Sequence, residues 1–345
     1  MPFVEYLHLK EFRGVRETVD PIRLSKFNVL IGRNNSAKST LLYALSLLPY
    51  PEVAQPLLYT GPPLGGTNTK LALLNHLTGY YKPYLSLIYG YSGEAQLEFG
   101  FRLEDREARR YQILINEGGV RAHKFTPSDQ TEPVTRGWEE ACEYLHITPA
   151  GTKPLSGWAL LIPNDSEFLS KVKQTLLDQW DPLEKKGVHY TVVREVINPA
   201  IDEKFTEVTK RNGGMRARKE VNGVPSWVRI EDLGDGVEKV ITVLLFVELW
   251  SPKLLLWDDF EVSAHPSLLR EVIRWLNRRD WQVVLATHSI DVLYELTEVR
   301  PEGLQVIQLK KTPDDRLLHR SLGLKELEDF ISGGSDPRLL VDAIR

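Results

Sequence analysis

One segment carries residue types and spacing suited to binding a phosphate chain. It comprises Gly32, Arg33, Asn34, Asn35, Ser36, Ala37, Lys38, Ser39 and Thr40. In such a loop, backbone N–H groups and a helix N-terminus bind phosphate, a lysine reaches the β- and γ-phosphates, and a hydroxyl binds Mg²⁺. Lys38 and Ser39 suit the last two roles. An accidental strand–turn–helix is the alternative.

The segment departs once from the pattern G-x-x-x-x-G-K-[ST], because Ala37 stands where the second glycine belongs. A Cβ atom at this position narrows the phosphate cradle and makes a positive φ costly. We therefore expect this alanine to weaken nucleotide binding relative to glycine.

Two acidic residues follow an apolar run at 254–257. Asp258 would bind Mg²⁺, directly or through water, and Asp259 would polarise the water that attacks the γ-phosphate. The alternative is a buried strand with a solvated acidic end. The phosphate-binding segment upstream favours the catalytic interpretation.

Two further segments suit the same site. His288 follows an apolar run at 283–286 and could contact the γ-phosphate, because polar residues at the ends of parallel strands lie at the ligand-binding edge. Gly234, Asp235 and Gly236 precede an apolar helical pattern, and a helix N-terminus can bind an anion. The alternatives are an ordinary strand-end histidine and a simple capping loop.

The elements that must position these residues can be predicted from the hydrophobic pattern. Short apolar runs predict buried strands at 27–31, 254–257, 283–286 and 304–309. Helical patterns lie between the later runs, and such alternation favours an α/β fold with parallel strands. The predicted core is discontinuous, with residues 1–48 and 231–345 forming it and residues 49–230 inserted as an α+β region.

The insertion has its own predicted elements. We expect β structure at 94–125, a polar loop at 126–135, helices at 137–146 and 166–180, a helical stretch at 188–211 and a hairpin at 215–230. The hairpin has Asn222-Gly223 at its tip, a dipeptide typical of tight β-turns.

Length and composition limit the class of protein. The 345 residues suggest two domains, or one large α/β domain with an insertion. A single cysteine excludes an intramolecular disulfide and a zinc-finger cluster. The absence of a long apolar run or a secretion signal predicts a cytoplasmic protein without a membrane partner. The net charge of −4 argues against attraction of nucleic acid to the whole surface.

The order and spacing of the motifs resemble the ABC-class P-loop ATPases of the SMC/RecF/OLD branch. The opening VEYLHLKEFRGVRETV resembles the first strand of that branch, with its F-R turn, and GRNNSAKST resembles its Walker A loop. LGDGVEKV resembles its signature motif, LLLWDDFEVSAHP its Walker B and D-loop region, and LATHS its switch-histidine strand. The resemblance covers both ends of the chain and leaves roughly residues 50–215 without a matching motif.

The resemblance implies an ATP- and Mg²⁺-binding ATPase core with a mixed sheet and flanking helices. Such ATPases form head-to-tail homodimers in which the signature of one subunit, here Gly234 to Gly236, caps the ATP bound at Lys38 of the other. It assigns Ser39 and Asp258 to the metal, and Asp259 and His288 to catalysis. The glutamine of the family's Q-loop is not identified; Gln55 and Gln96 are the candidates.

The catalytic motif departs from the family at two positions, because Asp259 replaces the expected glutamate and Phe260 replaces proline. Aspartate is one methylene shorter, and a displacement of about 1 Å can lower a rate by about 100-fold. Glu261 is a possible substitute catalytic residue. We therefore expect ATP binding with slow hydrolysis.

The expected role is that of a switch in DNA maintenance or anti-phage defence. Too few residues follow the last predicted core strand for the nuclease domain that OLD-type relatives carry, so a partner chain would supply any effector or nuclease activity. The basic stretch 210–219 could contact DNA, although a solvated hairpin is the favoured interpretation, because Glu220 follows at once. The main alternative is a catalytically degenerate module that regulates a partner; a transporter subunit and a small-molecule kinase fit the motifs less well.

Overall fold

The computed structural model describes residues 4–51, 69–79, 82, 84–101, 109–125, 131–133 and 158–344. Thirteen strands among these residues form one mixed sheet, and three others form a small antiparallel sheet. The predicted helix at 137–146 and the candidate Gln55 lie outside the described residues.

The strands of the described residues are β1 (Val4–Phe12), β2 (Val15–Thr18), β3 (Ile22–Arg23), β4 (Phe27–Gly32), β5 (Glu94–Phe101), β6 (Arg109–Asn116), β7 (Gly119–Phe125), β8 (Thr131–Pro133), β9 (Ala159–Ile162), β10 (Glu207–Arg211), β11 (Gly214–Val221), β12 (Val224–Arg229), β13 (Leu254–Trp257), β14 (Gln282–Ala286), β15 (Leu304–Lys311) and β16 (Arg316–Gly323). The helices are α1 (Lys38–Ser46), α2 (Lys70–Thr78), α3 (Ser166–Asp178), α4 (Trp180–Lys186), α5 (Val188–Val192), α6 (Asn198–Ala200), α7 (Asp235–Trp250), α8 (Pro266–Asn277), α9 (Ile290–Val299) and α10 (Leu324–Ser332), with a π-helix at Val193–Ile197 between α5 and α6. Short 3-10 helices lie at Leu85–Leu87, Tyr89–Tyr91, Ile230–Asp232 and Leu340–Ala343.

The centre of the large sheet is parallel and runs in the order β9-β13-β14-β4-β15. Every residue of β4, β13 and β14 is buried, as expected for parallel strands covered on both faces. The carboxyl ends of these strands meet at one edge of the sheet. This arrangement confirms the predicted α/β class with a mixed sheet and flanking helices.

The sheet continues through antiparallel strands beyond this centre. Strands β8, β7, β6 and β5 lead to β1, and β2 and β16 connect β1 to β15. The β structure predicted at 94–125 is therefore present as β5, β6 and β7. Strand β9 lies within the segment predicted as an insertion and pairs in parallel with β13. The division of the chain at residues 48 and 230 stays a prediction.

The prediction of a helical stretch through residue 211 is wrong in its second half. The helical segments end at Ala200, and Glu207–Arg211 form β10, which pairs with β11. The connecting residues Asn212 and Gly213 both have positive φ, as tight hairpin turns require. The prediction of a loop at 126–135 is also wrong at Thr131–Pro133, which form a short strand that pairs with β7. The predicted hairpin with Asn222-Gly223 at its tip is present as β11 and β12.

Helix α7 begins at the signature segment and runs from there into the protein interior. Most of its residues are buried, including Val243, Leu244 and Phe246, and its N-cap is Gly234. None of the helices in the described ranges combines the length and the apolar character needed to cross a bilayer.

Candidate functional site

The phosphate-binding segment forms a tight turn between β4 and α1. A Cβ atom on Gly32 would lie 2.5 Å from Ser36 Oγ and 2.6 Å from the backbone oxygen of Leu309. Both distances are shorter than real Cβ contacts allow, so only glycine fits where the loop leaves the strand. Close packing against β15 therefore sets the backbone path of the phosphate-binding loop predicted at Gly32 to Thr40.

Lys38 lies beneath this loop and is 5% exposed. Its Nζ donates hydrogen bonds to the backbone oxygens of Gly32 and Arg33, at 3.0 and 3.2 Å. Burial lowers the pKa of Lys38, whereas the negative charges of Asp258, Asp259 and Glu261 raise it. The ammonium thus lies between the loop backbone and the acidic cluster, where a phosphate oxygen could accept its hydrogen bonds.

Ala37 has the backbone conformation that sequence reasoning identified as costly. Its φ is 75° and its ψ is 15°, in the left-handed region, and it forms the N-cap of α1. A Cβ atom in this region costs about 1 kcal/mol. The loop therefore adopts the shape that the missing glycine would favour, at a cost in stability.

Ser39 and Asp258 form the candidate metal site. Asp258 is 7% exposed. Burial raises the pKa of its carboxyl group, and the neighbouring Ser39 hydroxyl lowers it. One hydroxyl and one carboxylate suit Mg²⁺, which keeps several waters and binds phosphate oxygens. Within the described ranges, no group of three or more His, Cys, Asp or Glu side chains could hold a metal ion.

Asp259 follows in a left-handed conformation, with φ 44°, which aspartate tolerates better than most residues. Its Oδ2 accepts a hydrogen bond from Asn164 Nδ2 at 3.2 Å. Phe260, at the position where proline was expected, is buried and packs edge-on against Trp257 at 5.1 Å between ring centroids. The contact between Phe260 and Trp257 therefore stabilises the turn that contains Asp259.

Sequence reasoning missed Asn164. This residue follows β9, which pairs with β13, so the carboxyl ends of the two strands bring Asn164 and Asp259 together. Its carboxamide could hold a water or orient the carboxylate. A polar residue directly after an apolar run was the available signal. The candidate Gln96 lies within β5, opposite Lys10 and Leu114.

Glu261 and His288 are also brought together. Glu261 Oε1 accepts a hydrogen bond from the backbone N of His288 at 2.7 Å, and its Oε2 is buried without a hydrogen-bond partner among the described residues. The His288 side chain is exposed, and its backbone oxygen accepts from Arg338 Nη1 at 2.6 Å. Glu261 therefore holds the histidine turn from one side, and Arg338, which sequence reasoning missed, holds it from the other.

The signature segment packs against the turn that follows Asp259. A Cβ atom on Gly236 would lie 2.0 Å from the backbone oxygen of Ser263, so a side chain there cannot be accommodated without movement. Gly234, with φ 90°, and Asp235 are both exposed. The three predicted residues line an open cleft of about 740 Å³ together with Ser263 and residues of α8.

Comparison with known proteins agrees with this fold. Residues 160–294 match the family described as "AAA domain, putative AbiEii toxin, Type IV TA system". No curated protein matches the chain. Three solved SMC heads are similar in fold but have low sequence identity.

An Smc head bound to the C-terminal winged-helix domain of ScpA is 15% identical, with a TM-score of 0.61 over 94% of this chain and 99% of that chain. An Smc head with an extended coiled coil, bound to the C-terminal domain of ScpA derived from Pyrococcus furiosus, is 14% identical, with a TM-score of 0.57 over 96% and 99%. The SMC head from Thermotoga maritima is 12% identical, with a TM-score of 0.56 over 93% and 99%. The chain therefore has the ABC-class P-loop ATPase fold of the SMC heads.

Proposed function

We propose that this chain binds Mg²⁺-ATP and hydrolyses it slowly. The observation that carries the proposal is that three groups lie at the edge of the sheet where its central parallel strands end: the buried Lys38 ammonium bound to the loop backbone, the adjacent Ser39 and the buried Asp258 that follows β13. A magnesium-bound triphosphate requires a hydroxyl and a carboxylate that bind the metal and an ammonium that binds the phosphates.

Each predicted residue has a role in this proposal. Lys38 would exchange its bonds to the loop backbone for bonds to the β- and γ-phosphates, while backbone N–H groups of Gly32 to Thr40 bind the phosphate oxygens. Ser39 and Asp258 would hold Mg²⁺, which when bound neutralises charge that develops on the phosphates.

Asp259 is the proposed general base. Its carboxylate would accept a proton from the attacking water, and His288 would contact the γ-phosphate. Aspartate reaches less far than glutamate, which is the reason to expect slow turnover. Glu261 already binds the backbone N of His288, so a positioning role suits it better than the substitute catalytic role.

The signature loop supports a homodimer in which each ATP is bound between two subunits. Gly234 and Asp235 are exposed at the N-terminus of α7, and a helix N-terminus favours negative charge. In this arrangement Gly234, Asp235 and Gly236 of one subunit would cap the γ-phosphate bound at Lys38 of the other. ATP would then favour the closed dimer, and hydrolysis would release it.

A switch of this kind would act on a partner, either DNA or an effector chain, in DNA maintenance or defence. The small sheet offers one candidate surface for DNA: Arg211 stacks on Trp227 at 4.0 Å, and Arg216 lies directly opposite Arg229. Two of the similar SMC heads are bound to a domain of ScpA, which supports partner binding in general. A regulatory module that binds ATP without turnover is the second candidate, favoured by Asp259 in place of the family's glutamate and by the strained Ala37.

Light scattering of the purified chain with Mg²⁺, with and without ATP, tests the switch. We expect a dimer only with ATP, and a monomer with ATP when Lys38→Ala is introduced. Monomers under all conditions would contradict the dimer mechanism. ATP turnover compared with Asp259→Ala then separates the two candidates, because equal rates in both proteins would favour the module without turnover.

A further inference from the structure

His288 lies just beyond the end of the central sheet, where the strand pairing no longer fixes the backbone. The preceding residue, Thr287, is still held by the sheet, because its backbone N donates to the backbone oxygen of Leu30 at 3.1 Å. Helix α9 begins two residues after the histidine, at Ile290. Since the His288 side chain is exposed, its place in the site depends on how the backbone of this one residue is held.

Two side chains from distant parts of the sequence hold that backbone. Glu261 Oε1 accepts a hydrogen bond from the backbone N of His288 at 2.7 Å, and Arg338 Nη1 donates to its backbone oxygen at 2.6 Å. Hydrogen bonds to a charged group are shorter and about twice as strong as bonds between neutral groups. Both polar backbone groups of the histidine are therefore bound by charged side chains.

The guanidinium of Arg338 is itself held by Asp336. Its Nε lies 3.0 Å from Asp336 Oδ1 and its Nη2 lies 2.5 Å from Oδ2, so the two planar groups are joined by two bonds. The backbone N of Arg338 also donates to Asp336 Oδ1, at 2.9 Å. A pair with two parallel bonds fixes direction as well as distance. The remaining nitrogen, Nη1, therefore binds the His288 oxygen from a fixed plane.

The segment that carries Arg338 is attached to the large sheet through β15. Gln308 of this strand is 1% exposed, and its Nε2 donates to the backbone oxygen of Pro337 at 2.6 Å. Two residues further on, Lys310 Nζ donates to the backbone oxygen of Ile344 at 2.8 Å. Strand β15 pairs with β4, which leads into the phosphate loop. Arg338 is therefore fixed relative to the same part of the sheet that carries this loop.

We infer that Arg338 is a positioning residue for His288, and that with Glu261 it fixes the histidine backbone and so places the imidazole at the γ-phosphate. This inference rests on the proposed ATPase function. Arg338 does not touch the nucleotide in this role and acts only through the His288 backbone oxygen. Water could replace the guanidinium at this exposed oxygen, so its loss should cost the fold little. Water would not hold the backbone in one place, however, and a displacement of about 1 Å can lower a rate by about 100-fold.

The test measures ATP turnover by the full chain with Mg²⁺ and the substitution Arg338→Met. We expect kcat to fall by about 10-fold with KM unchanged, because Arg338 acts on the histidine and not on ATP binding. The melting temperature should change by about 2 °C or less, as for most exposed substitutions. Hydrogen exchange followed by mass spectrometry should show faster exchange at residues 287–290 of the ligand-free variant.

The same substitution in the His288→Ala chain separates a positioning role from a general one. His288→Ala should itself lower kcat, because it removes the group that Arg338 positions. If Arg338 acts only through the histidine, adding Arg338→Met should then lower kcat by less than about 2-fold more. A residue that serves the fold in general would instead lower kcat by the same factor in both chains.

Arg279→Met is the matched control. The Arg279 side chain is 27% exposed against 31% for Arg338, and its Nη2 pairs with Glu248 Oε1 at 2.6 Å. Glu248 lies near the C-terminal end of α7, far along the helix from Gly234 at the N-cap. We expect a lower melting temperature, because the largely buried Glu248 carboxylate loses this partner, and an unchanged kcat per folded molecule.

Three results would overturn the inference. The first is an unchanged kcat in Arg338→Met, and the second is an equal fall in kcat with and without His288→Ala. The third is a loss of melting temperature that accounts for the loss of activity, which would make Arg338 a structural residue. If the unsubstituted chain hydrolyses ATP no faster than Lys38→Ala, the proposed function itself fails and the positioning role falls with it.

Discussion

The phosphate loop and the signature loop are both glycine-containing turns before a helix, yet they differ in what completes them. In the phosphate loop, the ammonium of Lys38 is buried and binds the loop's own backbone, and Gly32 packs against β15. In the signature loop, Gly234 and Asp235 are exposed, and a Cβ atom on Gly234 would meet nothing within 4 Å.

This difference gives the two loops different roles in the proposed function. The phosphate loop has a cation, a hydroxyl and a carboxylate from its own chain, and in the proposed function nucleotide completes its site. The signature loop has the helix N-terminus of α7 and an open cleft, and in the proposed dimer the nucleotide bound by the other subunit completes it. Four predictions test this comparison.

Lys38→Ala should have the largest effect, because it removes the cation on which the first loop depends. Loss of a charged hydrogen-bonding partner costs about 3 kcal/mol, or about 100-fold in the Kd for ATP. Titration calorimetry with Mg²⁺-ATP measures this. An affinity within a few-fold of the unsubstituted chain would show that the phosphate loop is not the ATP site.

Gly236→Ala should affect the second loop and leave ATP binding by the monomer intact. The new Cβ would meet the backbone oxygen of Ser263 at 2.0 Å, so the chain must shift, at a cost of about 2 kcal/mol in stability. We expect ATP-dependent dimerisation to be lost while calorimetry still detects ATP binding.

Gly234→Ala is the matched control for Gly236→Ala. The new Cβ would meet no atom within 4 Å, and only the φ of 90° is strained by a side chain, at a cost of about 1 kcal/mol. If Gly236→Ala weakens ATP binding as much as dimerisation, the proposal that the phosphate loop binds ATP and the signature loop serves dimerisation is wrong.

Ala37→Gly should improve the phosphate loop. Glycine removes the Cβ strain at φ 75°, which should raise the free energy of unfolding by about 1 kcal/mol and tighten ATP binding. Urea unfolding gives the first quantity and calorimetry the second. Ala44→Gly, in the last turn of the same helix, should instead lower stability by about 1 kcal/mol. A loss of stability in Ala37→Gly would contradict the strain argument.

Asp258→Asn should give the smallest effect, visible as a pH dependence of the ligand-free protein in EDTA. Burial raises the pKa of Asp258, so the native state resists its ionisation. Below the ordinary pKa of about 3.9 the group is protonated in both folded and unfolded chains and contributes nothing. As pH rises above that value the unfolded chain ionises first, so the native state loses stability until pH passes the raised pKa, where the loss is complete.

The asparagine variant should therefore melt at a higher temperature than the unsubstituted chain at pH 7, and the difference should disappear near pH 4. Thermal unfolding followed by circular dichroism at both pH values measures this. A difference that is the same at pH 4 and pH 7 would show that the burial of Asp258 does not govern it.

Much of the fold was predictable because its signals are local. The buried strands at 254–257 and 282–286 are short apolar runs, and the tip at Asn222-Gly223 follows from the positive φ that this dipeptide tolerates. A local signal was also available for the strand Glu207–Arg211, which was wrongly predicted to be helical. Asn212-Gly213 predicts a second tight turn, and therefore a strand before it.

The amino-acid sequence alone determined the phosphate loop, the acidic strand end and the α/β class. These depend on contiguous residues whose types decide the backbone path and the available donors. Tertiary structure decided which distant side chains meet Asp259 and His288. Asn164 and Arg338 come from separate elements, and only the pairing of β9 with β13 and the packing around His288 bring them to the site. Such contacts depend on strand order and side-chain direction, which residue spacing along the chain does not encode.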